Sequence, residues 1–209
     1  MKKIHVSAIN RKVRVDEKLF VEECDRKYNE KLVAIADSIE EHQKEKPILL
    51  LAGPSGAGKT TTALKIEEIL DSRGMHTHTI SMDDYFLPAD SFTAVIGEDG
   101  KLDYESPDRI DRKLLYEHME KINSGEEVVL PKFEFSEQCR RDGEKLRRNK
   151  NDIVVFEGIH ALNPEVTGAA GDYARCMYVS VRSRLELKDG ELLHPCYIRL
   201  MRRLISCLL

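Results

Sequence analysis

The segment Gly53-Pro54-Ser55-Gly56-Ala57-Gly58-Lys59-Thr60 constrains this chain more than any other. It matches the pattern G-x-x-x-x-G-K-[ST], and it sits where that pattern has mechanical meaning. Ile48-Leu49-Leu50-Leu51 before it reads as a buried strand, and Thr60 to Arg73 after it reads as a helix stopped by Gly74. Glycines let backbone N–H groups turn inward around phosphate oxygens, and the helix N-terminus adds partial positive charge. Gly53 through Thr60, with Thr61 behind them, are therefore the candidate nucleotide-binding residues. Lys59 can reach the β- and γ-phosphates and Thr60 can offer its hydroxyl to a metal, so ATP and Mg²⁺ are the expected cofactors.

A glycine loop alone does not separate a kinase from an ATPase or GTPase switch. Thr77 to Met82 reads as a second strand ending in Asp83-Asp84-Tyr85-Phe86. In a parallel sheet the carboxyl ends of the strands line one crevice, so Asp83 is expected to face the phosphates. A carboxylate there can orient an alcohol and take up its proton as a phosphoryl group transfers. Asp84 reads as a capping aspartate in the turn. Asp152-Ile153-Val154-Val155-Phe156-Glu157-Gly158 reads as an apolar strand ending in an acid, and Glu157 can hold Mg²⁺ directly or through water. His160 just beyond it reads as a hydrogen-bonded structural group. No N-K-x-D motif is present, which disfavours a GTP switch.

The rest of the pattern sets the fold. Residues 1–14 alternate loosely, which suggests a short strand or hairpin. From Asp16, an N-cap candidate, Phe20, Cys24, Tyr28, Leu32, Ala36 and Ile39 recur at helical spacing, until Pro47 breaks the pattern. Residues 87–107 read as loop, Asp108 to Asn123 as helix, Val128 to Leu130 as a short strand, Cys176 to Val181 as a strand and Pro195 onward as helix. Strands alternating with helices predict an α/β fold of P-loop NTPase type, a parallel sheet with helices on both faces. Residues 1–46 form a helical N-terminal appendage or linker, and 47–209 the catalytic domain. Arg140, Arg141, Lys145, Arg147, Arg148 and Lys150 read as a solvated charged face. Arg199, Arg202 and Arg203, at helical spacing, are candidates to neutralise phosphate, with Arg202 the catalytic one.

Of 209 residues, 41% are hydrophobic and 33% charged, with a net charge of −4. That balance gives no basic field for nucleic acid or anionic membrane, and no apolar run approaches the roughly 18 residues a span needs. Five scattered cysteines without a C-x-x-C pair favour reduced thiols and a cytoplasmic protein.

Together the motifs resemble the uridine kinase and phosphoribulokinase family of P-loop kinases. The likeness runs from about Ile48 to Arg203. It rests on the glycine loop, Ser81-Met82-Asp83-Asp84-Tyr85-Phe86, Asp103-Tyr104-Glu105-Ser106-Pro107-Asp108 and Pro131-Lys132-Phe133-Glu134-Phe135. It continues through Phe156-Glu157-Gly158-Ile159-His160-Ala161-Leu162-Asn163-Pro164 and Ile198-Arg199-Leu200-Met201-Arg202-Arg203. The resemblance implies transfer of the ATP γ-phosphate to a small-molecule hydroxyl, a nucleoside 5′-hydroxyl such as that of uridine or cytidine. It makes Asp83 the general base and Glu157 the acid near Mg²⁺. It places Tyr85, Glu105, Phe133, Gln138, Arg140 and Arg199 on the substrate side, with Glu105 at the ribose. Uridine kinases carry tyrosine at the position of Phe133 and histidine at that of Gln138, so the base read here is left unspecified. The branch most similar often joins the kinase to a region resembling part of threonyl-tRNA synthetase, to which residues 1–46 would connect. Where the family continues with arginine and aspartate, this chain has Ser206 and Cys207, which reads as a C-terminal truncation. The apolar end leaves a homo-oligomer open. A kinase of another small alcohol (phosphorylated sugar, glycerate or pantothenate) and a nucleotide-dependent regulatory or RNA-linked module are the alternative functions.

Overall fold

The structure, a computed structural model, describes residues 3–88, 96–97, 100–101, 103, 105–181 and 183–208. The loop expected over 87–107 falls largely outside these residues, as do Tyr104 and the side chains of Ser206 and Cys207.

Four parallel strands form the central sheet: β2 (Ile48–Ala52), β3 (Thr77–Ser81), β6 (Ile153–Gly158) and β7 (Ala174–Tyr178), in the order β3-β6-β2-β7. Both faces are covered, so the strands are apolar without alternation. Ile48, Leu50, Val154 and Phe156 point to one side, where Leu115, Met119 and Ile122 of α4 (Arg112–Ser124) join them in one core. Leu49, Leu51, Ile153 and Val155 point to the other. There they meet Ala63, Ile66 and Leu70 of α3 (Lys59–Asp71) and Leu32, Ala36 and Ile39 of α2 (Glu17–Glu41). The helical stripe in the sequence thus packs against the P-loop helix, with Asp16 capping α2 by accepting from the Leu19 N–H at 2.9 Å.

Of the strand or hairpin expected over residues 1–14, the short strand is present as β1 (Lys3–His5), while Val6–Val15 is helix α1 in place of a second strand. Val6, Ile9 and Val13 fit a helical period as well as the loose alternation did, and Asn10-Arg11-Lys12 lacks the glycine a tight hairpin turn favours. β1 pairs in parallel with β8 (Arg184–Glu186), which pairs with β9 (Leu192–Leu193) before α6 (Pro195–Leu208). A short helix α5 (Pro164–Thr167) follows β6. Among the described residues no helix is long and apolar enough to cross a membrane.

The larger departure is a separate antiparallel hairpin, β4 (Glu127–Glu134) and β5 (Cys139–Arg147). β4 does not stop before Pro131. It carries the proline at a register shift between Val129 and Pro131, where the missing N–H costs the ladder least. The basic stretch from Arg140 is β5. Its charges are mostly exposed, and its Leu146 enters the core.

At the entry to β6, Asp152 is almost fully buried and accepts at one oxygen from His78, the Asn149 N–H and the Asn149 amide, at 3.3, 2.8 and 2.9 Å. Burial alone would raise its carboxyl, but the Asn149 backbone and His78 outweigh it and hold the group below the usual range. Asp152→Ala is expected to cost about 2 kcal/mol, read as a lower urea midpoint at unchanged slope. A depressed acid stabilises above its unfolded pKa, so the parent–variant difference should shrink as pH falls below about 4.

Candidate active site

Strand register assembles the site. Leu51 and Ser81 both pair with Glu157, and Ala52 pairs with Gly158. The P-loop, the turn after β3 and the end of β6 therefore open into one crevice. Its first part is a cleft of about 310 Å³ lined by Ser55, Gly56, Gly58, Lys59, Thr60, Thr61, Ser81, Asp83, Glu157, Gly158 and Ile159. Two glycines here are fixed by space and dihedral. A Cβ on Gly53 would lie 2.3 Å from the Val179 carbonyl oxygen, and Gly58 caps α3 at φ +94°. Pro54 and Ala57 complete the loop, with Ala57 buried.

Thr60 Oγ1 donates to Glu157 Oε1 at 2.9 Å, while Glu157 Oε2 is buried with no hydrogen-bond partner among the described residues. A buried carboxylate oxygen without a donor is costly. Beside a threonine hydroxyl, it is the kind of hard oxygen donor that Mg²⁺ takes, so Thr60 and Glu157 fit the expected metal.

Asp83 sits in a 3-10 turn, Met82–Tyr85, with its own N–H donating to Ser81 Oγ at 3.3 Å. Burial pushes its carboxyl above the usual range. The Lys59 ammonium pulls the other way, and the negative charges of Glu157 and Asp84 add to the rise.

A second cavity of about 500 Å³ shares Ser55, Lys59, Asp83 and Ile159 with the first. Its other walls are Phe86, Glu105, Phe135 and Gln138. Gln138 closes the β4–β5 turn at φ +51°, a left-handed conformation that non-glycine residues adopt at a cost. Its amide donates to the Phe135 carbonyl at 2.6 Å, leaving its Oε1 buried and without a partner among the described residues. Glu105 lines the same cavity, its backbone carbonyl hydrogen-bonded to His160 Nε2 at 2.7 Å. His160 is therefore the hydrogen-bonded group the sequence suggested.

Four expected substrate residues are placed elsewhere, Arg199 among them. Tyr85 is fully buried, with its hydroxyl 3.0 Å from His118 Nδ1. Burial raises the phenol and lowers the imidazole, so both stay neutral. Phe133 is 2% exposed and packs edge-on against Phe86 and Phe135, at 5.7 and 5.1 Å between centroids. Arg140 pairs with Asp111, the cap of α4, at 2.8 Å. Phe135 and Phe86 are the aromatics that reach the cavity. The i, i+2 spacing of Phe133 and Phe135 across a strand end was the available signal.

The C-terminal arginines meet the P-loop from outside. Arg202 Nη1 donates to the Ala57 carbonyl at 2.8 Å, and Arg203 Nη1 lies 3.5 Å from Ser55 Oγ. Arg199 approaches through its backbone, its carbonyl 3.2 Å from where a Cβ on Gly56 would stand. None of the three lines either cavity.

A uridine kinase from Halobacterium salinarum is 31% identical over 115 residues, 55% of this chain and 48% of that one. One from Lactobacillus johnsonii is 31% identical over 126 residues, 59% of this chain and 57% of that one. The chain thus spans about half the length of these curated relatives. The solved structure of a possible uridine kinase from Bacillus stearothermophilus superposes with a TM-score of 0.57, over 73% of this chain and 80% of that one, at 16% identity. That is a likeness of fold. The glycine loop, Asp83, the β4–β5 hairpin and Glu157 all lie within residues 48–185, which match the phosphoribulokinase / uridine kinase family, and the chain belongs to that family.

Proposed function

We propose that this chain transfers the γ-phosphate of ATP to a small-molecule hydroxyl, that of a nucleoside 5′-carbon. The observation that carries this reading is the meeting of two cavities at Lys59 and Asp83. One cavity is built of P-loop backbone and a metal-binding pair, the other of two aromatic rings, an acid and an amide. Phosphoryl transfer needs a donor and an acceptor in line, and a shared wall bearing a cation and a base supplies that arrangement.

In this reading Lys59 binds the β- and γ-phosphates, and Thr60 with Glu157 holds Mg²⁺, which supplies charge neutralisation at the transferring group when bound. Asp83 orients the acceptor hydroxyl and takes its proton. Its raised carboxyl makes it a stronger base than an ordinary aspartate. Glu105 faces the acceptor's polar side, and Phe135 gives a flat apolar wall. The buried Gln138 Oε1 calls for a hydrogen-bond donor on the acceptor, as a nucleobase N–H would offer. Arg140, paired with Asp111, supports the hairpin rather than the acceptor, and Tyr85 is closed off by His118. Kinase relatives of about 30% identity support the same chemistry.

Lys59→Ala is expected to abolish acceptor phosphorylation in an ADP-release assay, because among the described residues no other cation lines either cavity. Asp83→Asn carries two expected outcomes. Turnover falls at least about a hundredfold while ATP affinity survives. Thermal stability at pH 7 rises, because an acid whose folded pKa is raised costs stability once ionised. That gain should fade as the pH drops below the ordinary carboxylate pKa of about 4. Gln138→Leu should raise the acceptor KM about tenfold or more and leave ATP affinity alone. Equal loss for ATP and acceptor would sink the two-cavity reading.

A further inference from the structure

The β4–β5 hairpin brings Phe135 and Gln138 to the acceptor cavity, yet it forms no part of the four-stranded sheet. Something has to fix its turn relative to Asp83, because a small displacement of an acceptor wall separates the hydroxyl from the base. Asp84 makes that connection. Its Oδ1 accepts from the Phe133 N–H at 3.1 Å, and its Oδ2 accepts from Lys132 Nζ at 3.3 Å. The Asp84 side chain is 15% exposed, whereas that of Lys132 is 61% exposed. The backbone contact is therefore the sheltered one, and the ammonium contact is screened by solvent.

We propose that Asp84 is a positioning residue for phosphoryl transfer: it locks the acceptor-reading hairpin to the turn that carries Asp83. The sequence placed Asp84 as a local cap. The structure gives it partners 48 and 49 residues away, and Ser81 caps the turn instead. Two neighbouring aspartates thus divide the work. Asp83 faces the shared wall of the two cavities, and Asp84 points back along the hairpin. A carboxylate suits that second task because a backbone N–H donates more strongly to a charged oxygen. Phe133 and Phe135, packed edge to face at 5.1 Å between centroids, carry the constraint from the anchored N–H to the ring in the cavity. This inference rests on the acceptor reading of the second cavity, but the anchoring itself can be measured without an acceptor.

The test compares Asp84→Ala, Asp84→Asn and Lys132→Ala in the full chain. Acceptor KM, kcat and ATP Kd are measured together with amide hydrogen exchange over residues 132–138. Asp84→Ala should lower acceptor kcat/KM by roughly ten- to a hundredfold, chiefly through KM, with ATP Kd within about twofold. Exchange at Phe133 should accelerate. Asp84→Asn keeps an oxygen for the Phe133 N–H and should recover most of the loss, while Lys132→Ala should stay within about threefold of the parent. Should Asp84→Ala fail to fold, Asp84→Asn decides by a few-fold rise in acceptor KM and faster Phe133 exchange. Unchanged Phe133 exchange and acceptor KM in Asp84→Ala, or in Asp84→Asn where Asp84→Ala does not fold, overturn the proposal, as does a loss shared equally with ATP affinity. A parent protein that phosphorylates no nucleoside or other alcohol overturns the acceptor reading, and the exchange result then judges the anchor alone.

Discussion

The site depends on one constraint, the register of three parallel strands. β6 lies between β2 and β3, and Glu157 pairs with Leu51 on one side and Ser81 on the other. Slipping any of these strands by one residue would turn its side chains to the opposite face. Here that would exchange Leu50 and Phe156 of one core for Leu49 and Val155 of the other. Because both faces are packed, the register is held by two cores at once. The same alignment leaves the P-loop, Asp83 and Glu157 at adjacent strand ends. The chemistry is therefore positioned by burial that occurs several residues away.

Groups at those strand ends are held under opposing demands. Burial raises the Asp83 carboxyl while Lys59 lowers it, and Glu157 keeps one oxygen buried without a donor among the described residues. Each feature costs folding free energy, a pattern that concentrates at functional sites. Asp152 at the opposite end of β6 shows the contrast. There every interaction with the carboxylate is a donor, and its pKa falls. The strand thus has a satisfied acid at its entry and a half-satisfied one at its exit.

What the sequence made legible was local. The glycine loop, the N-cap Asp16, the apolar strands and the acids at strand ends depend on neighbours within a few residues, and each stands where its pattern indicates. What it hid was pairing across distance. Arg140 to Arg147 looked like a solvated face because an edge hairpin exposes most of one strand, and charged side chains are common there. Tyr85 and Phe133 share motifs with residues at the cavity, but the turn and the strand alternation send them inward. Phe135, two residues beyond Phe133, reaches the cavity because the strand has ended and the chain is turning. Asp84 is the sharpest case. Its sequence neighbours suggested a cap, and only the hairpin's position reveals its partners.

The contact between α6 and the P-loop follows from the loop's own geometry. A loop that turns successive N–H groups inward for phosphate must turn carbonyls outward, and a buried carbonyl needs a donor. Ala57 is buried, and the donor that reaches its carbonyl is Arg202, 145 residues along the chain. A guanidinium is suited to this because its charge persists at any working pH and its donors form a rigid fork. It also stands beside Gly58, where φ +94° already favours glycine and a Cβ would lie 2.6 Å from the Arg202 Nη2. Before any phosphate arrives, Arg202 therefore braces the cradle from behind, and the shape of the loop is a property shared between the P-loop and α6.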